Sequence, residues 1–487
     1  MRLAGLLALG VPLAAAAQQQ PVDSLALRAH TYFLADDLLE GRGTGRRGAD
    51  VAASYIAAAA RRLGLEPASA NYFQEVPLVE AEVDTAQTLL VLETTDSSGT
   101  RSATFRSPAD FIPNAGTVRT LVPFDGEMVW VGSAAMVLAH AARLPDLRGR
   151  VALMDGVFGA EGAAADTLRA RGVTGVIQLL GDPRLYQLYV SSRGSSRMYI
   201  ADSTVKSSFV PDVPAVLAHP ALARQLLAGL DEEDLASAVE IPDRRVRVGI
   251  GVRPGRIGAR NVGAILRGSD SLLRNEYVVY TAHYDHLGIS HPDERGDSLY
   301  NGFSDNAAGT AMLLAIAQSM MAHPPARSVL FLWLTGEERG LLGSDWFVAH
   351  PMIPLTQIVG VINLDAGAPP APNVTWRIAG GTSSPLGARA VAVAERAGWH
   401  ARVSTPSPNS DYFPFLRVGV PAVFIVPGPD AFEGLTTEQS QALRQRWDRY
   451  HQAGDHWYAN YPFSGLVRYA EFALALGLEL GAEGLRR

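Results

Sequence analysis

Three stretches of the chain, at residues 277–282, 329–334 and 358–364, run almost without a polar side chain. Continuous apolar runs of this length belong to strands buried on both faces, so the three predict the middle of a largely parallel sheet. Between the first two, residues 307–321 carry a helical run, and from Arg260 onward strand and helix patterns alternate as they do when helices cover both faces of such a sheet. Nearer the start, Val51, Tyr55, Ile56, Ala59 and Leu63 fall at helical spacing, and Gly64 with Pro67 ends the run. Residues 73–111 change to alternation, with Asp96-Ser97-Ser98-Gly99 as a turn between strands.

The stretch from about Gly116 to about Val248 has a rhythm of its own. It reads as strands at 127–131 and 151–154, a helix at 163–171 and a strand at 173–180. The expected organisation is therefore a principal α/β domain, residues 18–115 and 249–487, interrupted by a smaller α/β module at 116–248. No internal repeat or long low-complexity tract is present.

Composition narrows the class. With 487 residues, 47% hydrophobic and 19% charged, the chain is a folded protein too long for one average domain. A net charge of −7 without any block of like charge argues against nucleic acid as the main partner. Cysteine is absent, which removes disulfides and thiolate chemistry. Met1-Arg2, the apolar stretch 3–13 and Ala15-Ala16-Ala17 read as a signal peptide over 1–17, so a secreted or periplasmic protein is expected. That stretch is short and contains Pro12, and no later one reaches spanning length, so no stable membrane span is expected.

The chemistry lies where the apolar runs end. The first ends in His283-Tyr284-Asp285-His286, the second in Gly336-Glu337-Glu338, the third in Asp365. Open α/β sheets bind ligands outside the carboxyl ends of their strands, so three strands deliver acid and imidazole to one rim. Asp305, ahead of the helical run, adds a further carboxylate, and Tyr450-His451 near the end of the chain offers another imidazole. Mixed nitrogen and carboxylate donors suit zinc or a similar divalent ion, and one carboxylate can bridge two ions.

Set in order, HTYFLADDLLEGRGTG at 30–45, YFQEVPL at 72–78, HYDHLG at 283–288, YNGFSDNAAGTA at 300–311, TGEERGLLGS at 335–344, NLD at 363–365, SDYFPFLRVGVPAVFI at 410–425 and YHQAGD at 450–455 resemble the M28 metallopeptidases of the bacterial and yeast vacuolar aminopeptidase type. The segment 116–248 resembles a protease-associated domain through LRGRVALM at 147–154 and AADTLRARGVTGVI at 164–177. The first resemblance implies a mainly parallel mixed sheet flanked by helices, as in zinc aminopeptidases. It also implies two zinc ions and hydrolysis of N-terminal residues from peptide substrates. His283 and Asp365 would hold one ion, Glu338 and His451 the other, and Asp305 would bridge them. Glu337 would be the general base, Asp285 would orient His283, and Tyr450 would donate to the tetrahedral oxyanion.

His286, His291 and His456 match none of these positions and are read as loop or rim residues. Ser410-Asp411 lacks a recognisable triad context and is expected to line the substrate pocket. Ala366-Gly367-Ala368 after Asp365, and Phe303-Ser304 before Asp305, depart from the common pattern without removing a ligand, and bear on substrate preference. The rival readings are a glutamate-carboxypeptidase-like or dipeptidase activity, which would need arginines at the pocket, and a receptor-like binding protein without catalysis.

Overall fold

The structure is a computed structural model in which residues 20–114, 120–157, 162–193, 196–208 and 212–485 are described. The expected signal segment 1–17 and the module boundary at 116 lie outside these residues. The strands collect into two large sheets and a small hairpin.

The larger sheet follows the order His400–Ser404, Thr375–Ala379, Ala422–Pro427, Ile358–Asn363, Tyr277–His283, Ser328–Leu334, Val252–Leu266, Phe73–Val83, Ser196–Ile200. Its four central strands, from Ala422–Pro427 to Ser328–Leu334, are parallel to one another. The expectation of a mainly parallel sheet holds only for this centre. On one flank Val252–Leu266 pairs antiparallel with Ser328–Leu334 and, along eleven residues, with Phe73–Val83. On the other flank Thr375–Ala379 runs antiparallel to Ala422–Pro427. Tyr277–His283 and Ser328–Leu334 are buried along their whole length, whereas the outer pair has exposed positions, as antiparallel strands with a wet face do.

Successive side chains of the central strands point to opposite faces, and each set meets its own helices. Val278, Tyr280, Phe331, Trp333 and Ile362 pack in one core with buried residues of helices Ser24–Leu34, Arg47–Leu63, Ala308–Met320 and Ser464–Glu483. Val279, Leu330, Leu332 and Val361 pack in another with helices Leu342–Ala349 and Tyr412–Arg417. Ala308–Met320 is buried on nearly every side, which explains a sequence, AGTAMLLAIAQSM, with no polar stripe.

The second sheet has the order Gly99–Arg106, Leu89–Asp96, Val239–Gly249, Phe124–Ser133, Val151–Asp155, Gly175–Leu179, Ala215–Ala218, Phe111–Pro113. It therefore takes in strands from Leu89 onward, ahead of the expected boundary. The hairpin closed by Asp96-Ser97-Ser98-Gly99 pairs with Val239–Gly249, a partner some 150 residues away that alternation alone cannot identify. Conversely, Ser196–Ile200, from within the expected module, joins the edge of the larger sheet. Arg197 on that strand is buried and donates to the Pro113 carbonyl and Asn114 Oδ1, at 2.9 and 2.7 Å, tying the two sheets together. Ser208, in the segment that follows the same strand, is held against a helix of the larger sheet: its N–H and hydroxyl donate to the buried Asp345 of helix Leu342–Ala349 while Arg417 donates to the Ser208 oxygen.

Candidate active site

The central parallel strands end together. His283 closes its strand, Glu337 and Glu338 follow Ser328–Leu334, and Asp365 follows Ile358–Asn363. Asp305 enters from the turn before helix Ala308–Met320, and its two oxygens face different partners. Oδ1 lies 3.2 Å from His283 Nε2, which is also 2.8 Å from Asp365 Oδ1. Oδ2 lies 3.0 Å from His451 Nε2, which is 3.2 Å from Glu338 Oε2. The result is two donor groups sharing Asp305: His283, Asp305 and Asp365 on one side, and His286, Asp305, Glu338 and His451 on the other, the donor atoms of each lying within 4.8 Å of one another. Imidazoles and carboxylates in this mixture fit divalent ions of the zinc type.

His286 corrects the sequence reading. It is fully buried rather than at the rim, with Nδ1 2.6 Å from Glu338 Oε1 and 3.7 Å from Asp305 Oδ2. The His286 backbone N–H donates to the Arg42 carbonyl in a parallel bridge with Gly43, which holds the residue in the buried layer. His291 is exposed, and His456 lines a separate small cavity with Asp36 and Asp37.

Several residues hold these donors. The Arg42 guanidinium is buried and donates to the carbonyls of Leu34, Tyr284, Asn301 and Gly302, clamping the segments that carry His283 and Asp305. Its approach requires Gly41: a Cβ there would stand 2.4 Å from the Tyr300 carbonyl oxygen, at a φ of +64° that favours glycine. Asp455 accepts from the backbone N–H groups of Ser304 and Asp305 at 3.0 and 3.1 Å, fixing the turn that aims Asp305. Thr281 donates to Asn363, Asn363 to Ser410, and the Ser410 hydroxyl to Asp365 Oδ2. Ser410 is thus a fully buried support, and Asp411, which accepts from the Ser344 hydroxyl, is fully buried as well; Asn409 is the neighbour that lines the cavity. His283 Nδ1 lies 3.0 Å from the Asp285 carbonyl and 3.7 Å from its carboxylate, which also accepts from Thr44 and from the Glu337 N–H.

Electrostatics separate the carboxylates. Burial raises Asp305, but His286, His283 and His451 around it hold it well below the ordinary carboxylate range. Glu338, opposed in the same way by burial and Asp305, is held down to about 2 by His286 and His451. Glu337 goes the other way: burial pushes it well above its ordinary value, and Asp365, Glu338 and Asp411 add to the rise against the pull of His283. Adjacent glutamates thus differ in kind, one ion-paired with two histidines and one facing the open cavity.

That cavity measures about 650 Å³ and is lined by His283, Asp305, Glu337 and Asp365 at one end, with Arg377, Phe424 and Trp447 among its other walls. Tyr450 also lines it. Its ring stacks on His451 with centroids 3.9 Å apart and the residue remains 64% exposed.

Residues 261–476 match the model of Peptidase family M28. Aminopeptidase YwaD of Bacillus subtilis is 26% identical over 197 residues, 38% of this chain and 40% of that protein. A probable leucine aminopeptidase 2 of Aspergillus oryzae is 30% identical over 176 residues, 34% of each. The matched stretches span less than half the length of these curated relatives. Among solved structures, an aminopeptidase from Aneurinibacillus sp. strain AM-1 superposes with a TM-score of 0.55 at 17% identity, covering 96% of this chain and 95% of the other. BSAP, a zinc aminopeptidase from Bacillus subtilis, gives 0.50 at 17% identity, with 96% and 97% covered. The likeness in fold thus extends across both sheets, whereas the sequence likeness is concentrated around the donor residues.

Proposed function

The chain belongs to peptidase family M28 through residues 261–476, and on that premise we propose that it is an exported two-zinc aminopeptidase releasing N-terminal residues from peptides. The observation that carries this reading is the divided contact of Asp305, one oxygen toward His283 and the other toward His451. His283 and Asp365 would hold one zinc, Glu338 and His451 the other, with Asp305 between them and His286 against Glu338. Two such ions, when bound, supply polarisation of a carbonyl and acidification of water.

The chain's own residues do the rest. Glu337 is outside the ion-paired group and lines the cavity, and it would take the proton of the attacking water and return it to the leaving amine. Cations among the carboxylates would draw its affinity for protons down from the raised value, toward the range a general base needs. Asp455, Arg42 and Ser410 keep the donors aimed, so that little reorganisation accompanies the reaction. Tyr450, which lines the cavity beside His451, would donate to the developing oxyanion. Export rests on Met1-Arg2 and the apolar, small-residue stretch that follows.

The test is a screen of aminoacyl p-nitroanilides against their N-acetylated forms, with metal content measured on the same samples. Cleavage of free but not blocked substrates at two zinc ions per chain supports the aminopeptidase. Cleavage from the carboxyl end would favour the carboxypeptidase reading, and absence of tightly bound metal the receptor-like one.

A further inference from the structure

The far wall of the cavity carries positive charge that no carboxylate in the described residues neutralises. Arg377 lines both the 650 Å³ cavity and an adjoining one of about 310 Å³ that reaches no donor residue. Its neighbour in the sheet register is Arg402, which lines the second cavity. Like charges side by side on one face of a sheet cost stability, and an anion seated against the pair would relieve that cost. Neither guanidinium has a hydrogen bond or ion pair among the described residues. Arg444, also in the cavity wall, is different: it donates to the carbonyls of Gly428 and Asp430 and lies over the Phe432 ring. Of the acids nearby, Asp448 accepts from the Tyr450 N–H, and Asp430 lines the second cavity without pairing to either arginine.

Register gives the distance. Asn363 is level with Phe424, and Val426, two residues on, is level with Arg377. Continued past the end of strand Ile358–Asn363, that register sets Asp365 two strand spacings from Arg377, about 10 Å. An extended peptide covers that in about three residues.

We propose that Arg377, seconded by Arg402, is a specificity-determining anion subsite that takes a carboxylate carried by the peptide within about three residues of the scissile bond. The carboxylate comes from an acidic side chain or from the free C-terminus of a short peptide. The proposal rests on the peptidase reading above and narrows its substrates to short or acidic peptides.

The experiment uses the full zinc-loaded chain and four substrates: Leu-p-nitroanilide, Glu-p-nitroanilide, Leu-Gly-Gly and Leu-Gly-Gly-amide. Arg377→Gln is expected to raise KM about tenfold or more for an acid-bearing substrate, the scale of a lost charge-assisted hydrogen bond. Leu-p-nitroanilide and the amide should stay within about twofold, and Arg377→Lys should recover part of the loss as a point charge without the planar fork. A loss confined to Glu-p-nitroanilide assigns the subsite to a side chain; a loss confined to Leu-Gly-Gly assigns it to the C-terminus. Equal effects on acid and neutral substrates, or none on either, would overturn the proposal. Should wild-type chain cleave none of the four, the peptidase reading falls. Calorimetric binding of the same compounds to wild type and Arg377→Gln then judges the subsite, which is refuted if acid and neutral compounds bind alike.

Discussion

The strands Tyr277–His283 and Val151–Asp155 are both parallel, both buried along their apolar length and both closed by an ionisable residue, yet only the first leads into a site. Asp155 is exposed, and the strands paired around it end in residues such as Leu179 and Ser133. His283 is 1% exposed in its side chain and meets carboxylates from the ends of two further elements. An ionisable group at a strand end thus acquires unusual chemistry only where neighbouring strands deliver more of them to one place and loops cover the result. The second sheet spends its buried polarity on structure instead. Arg197, Asn114 and Gln178 form a hydrogen-bonded chain between the sheets, and no group of potential metal donors among the described residues draws on 120–249.

Substitutions can break this contrast. Glu337→Gln leaves every donor in place and should lower kcat by about 10²–10⁴, the scale of general-base loss, with metal content unchanged. Glu338→Gln should lose metal as well. If steady-state kinetics and elemental analysis gave the two variants the reverse pattern, their roles would be exchanged.

The pH dependence of stability probes the contact of Ser208 with helix Leu342–Ala349. Burial raises Asp345 to about 7 from its ordinary 3.8, despite the hydrogen bonds from Ser208. The folded chain then keeps a proton that the unfolded chain has released, so this contribution is whole below about pH 4 and is lost as pH rises through about 7. The slope approaches about 1.4 kcal/mol per pH unit inside that window. Asp345→Asn should flatten it, as measured by denaturant unfolding at several pH values.

His286→Ala tests whether the buried ring serves the metal group or only fills space. Zinc affinity of the Glu338 group should drop about 10–100-fold, as when partners of metal ligands are removed, while the Asp365 group keeps its ion. Competition with a chromophoric chelator reads both. On the other side of the contrast, Arg197→Met retains bulk but leaves the Pro113 carbonyl and Asn114 Oδ1 short of a donor. It should cost about 1–3 kcal/mol of unfolding free energy and leave zinc content untouched. A loss of metal from Arg197→Met would show the two sheets to be functionally coupled.

The sequence by itself determined the central strands, the helix between the first two and the residues that gather at their ends. Each of these depends on local pattern: an apolar run long enough for a buried strand, an acid or imidazole directly after it, and a helical period between. His283, Glu337, Glu338 and Asp365 were legible for that reason, and Asp305 and His451 through the motifs around them. Tertiary structure alone decided what depends on partners distant in the chain. Leu89–Asp96 joins the second sheet because Val239–Gly249 is its neighbour, and Ser196–Ile200 joins the first because Phe73–Val83 is. His286 reads as a loop residue because three positions after His283 carry no period that would point a side chain inward; the hydrogen bond to the Arg42 carbonyl, 244 residues away, holds it in the buried layer. Arg377 sits on a short strand with no motif, and becomes notable only when the register sets it level with Asp365 in one cavity. Local sequence specifies which chemistry a strand end carries, whereas long-range pairing specifies which ends meet, because hydrogen-bonded registers are closed by residues far apart in the chain.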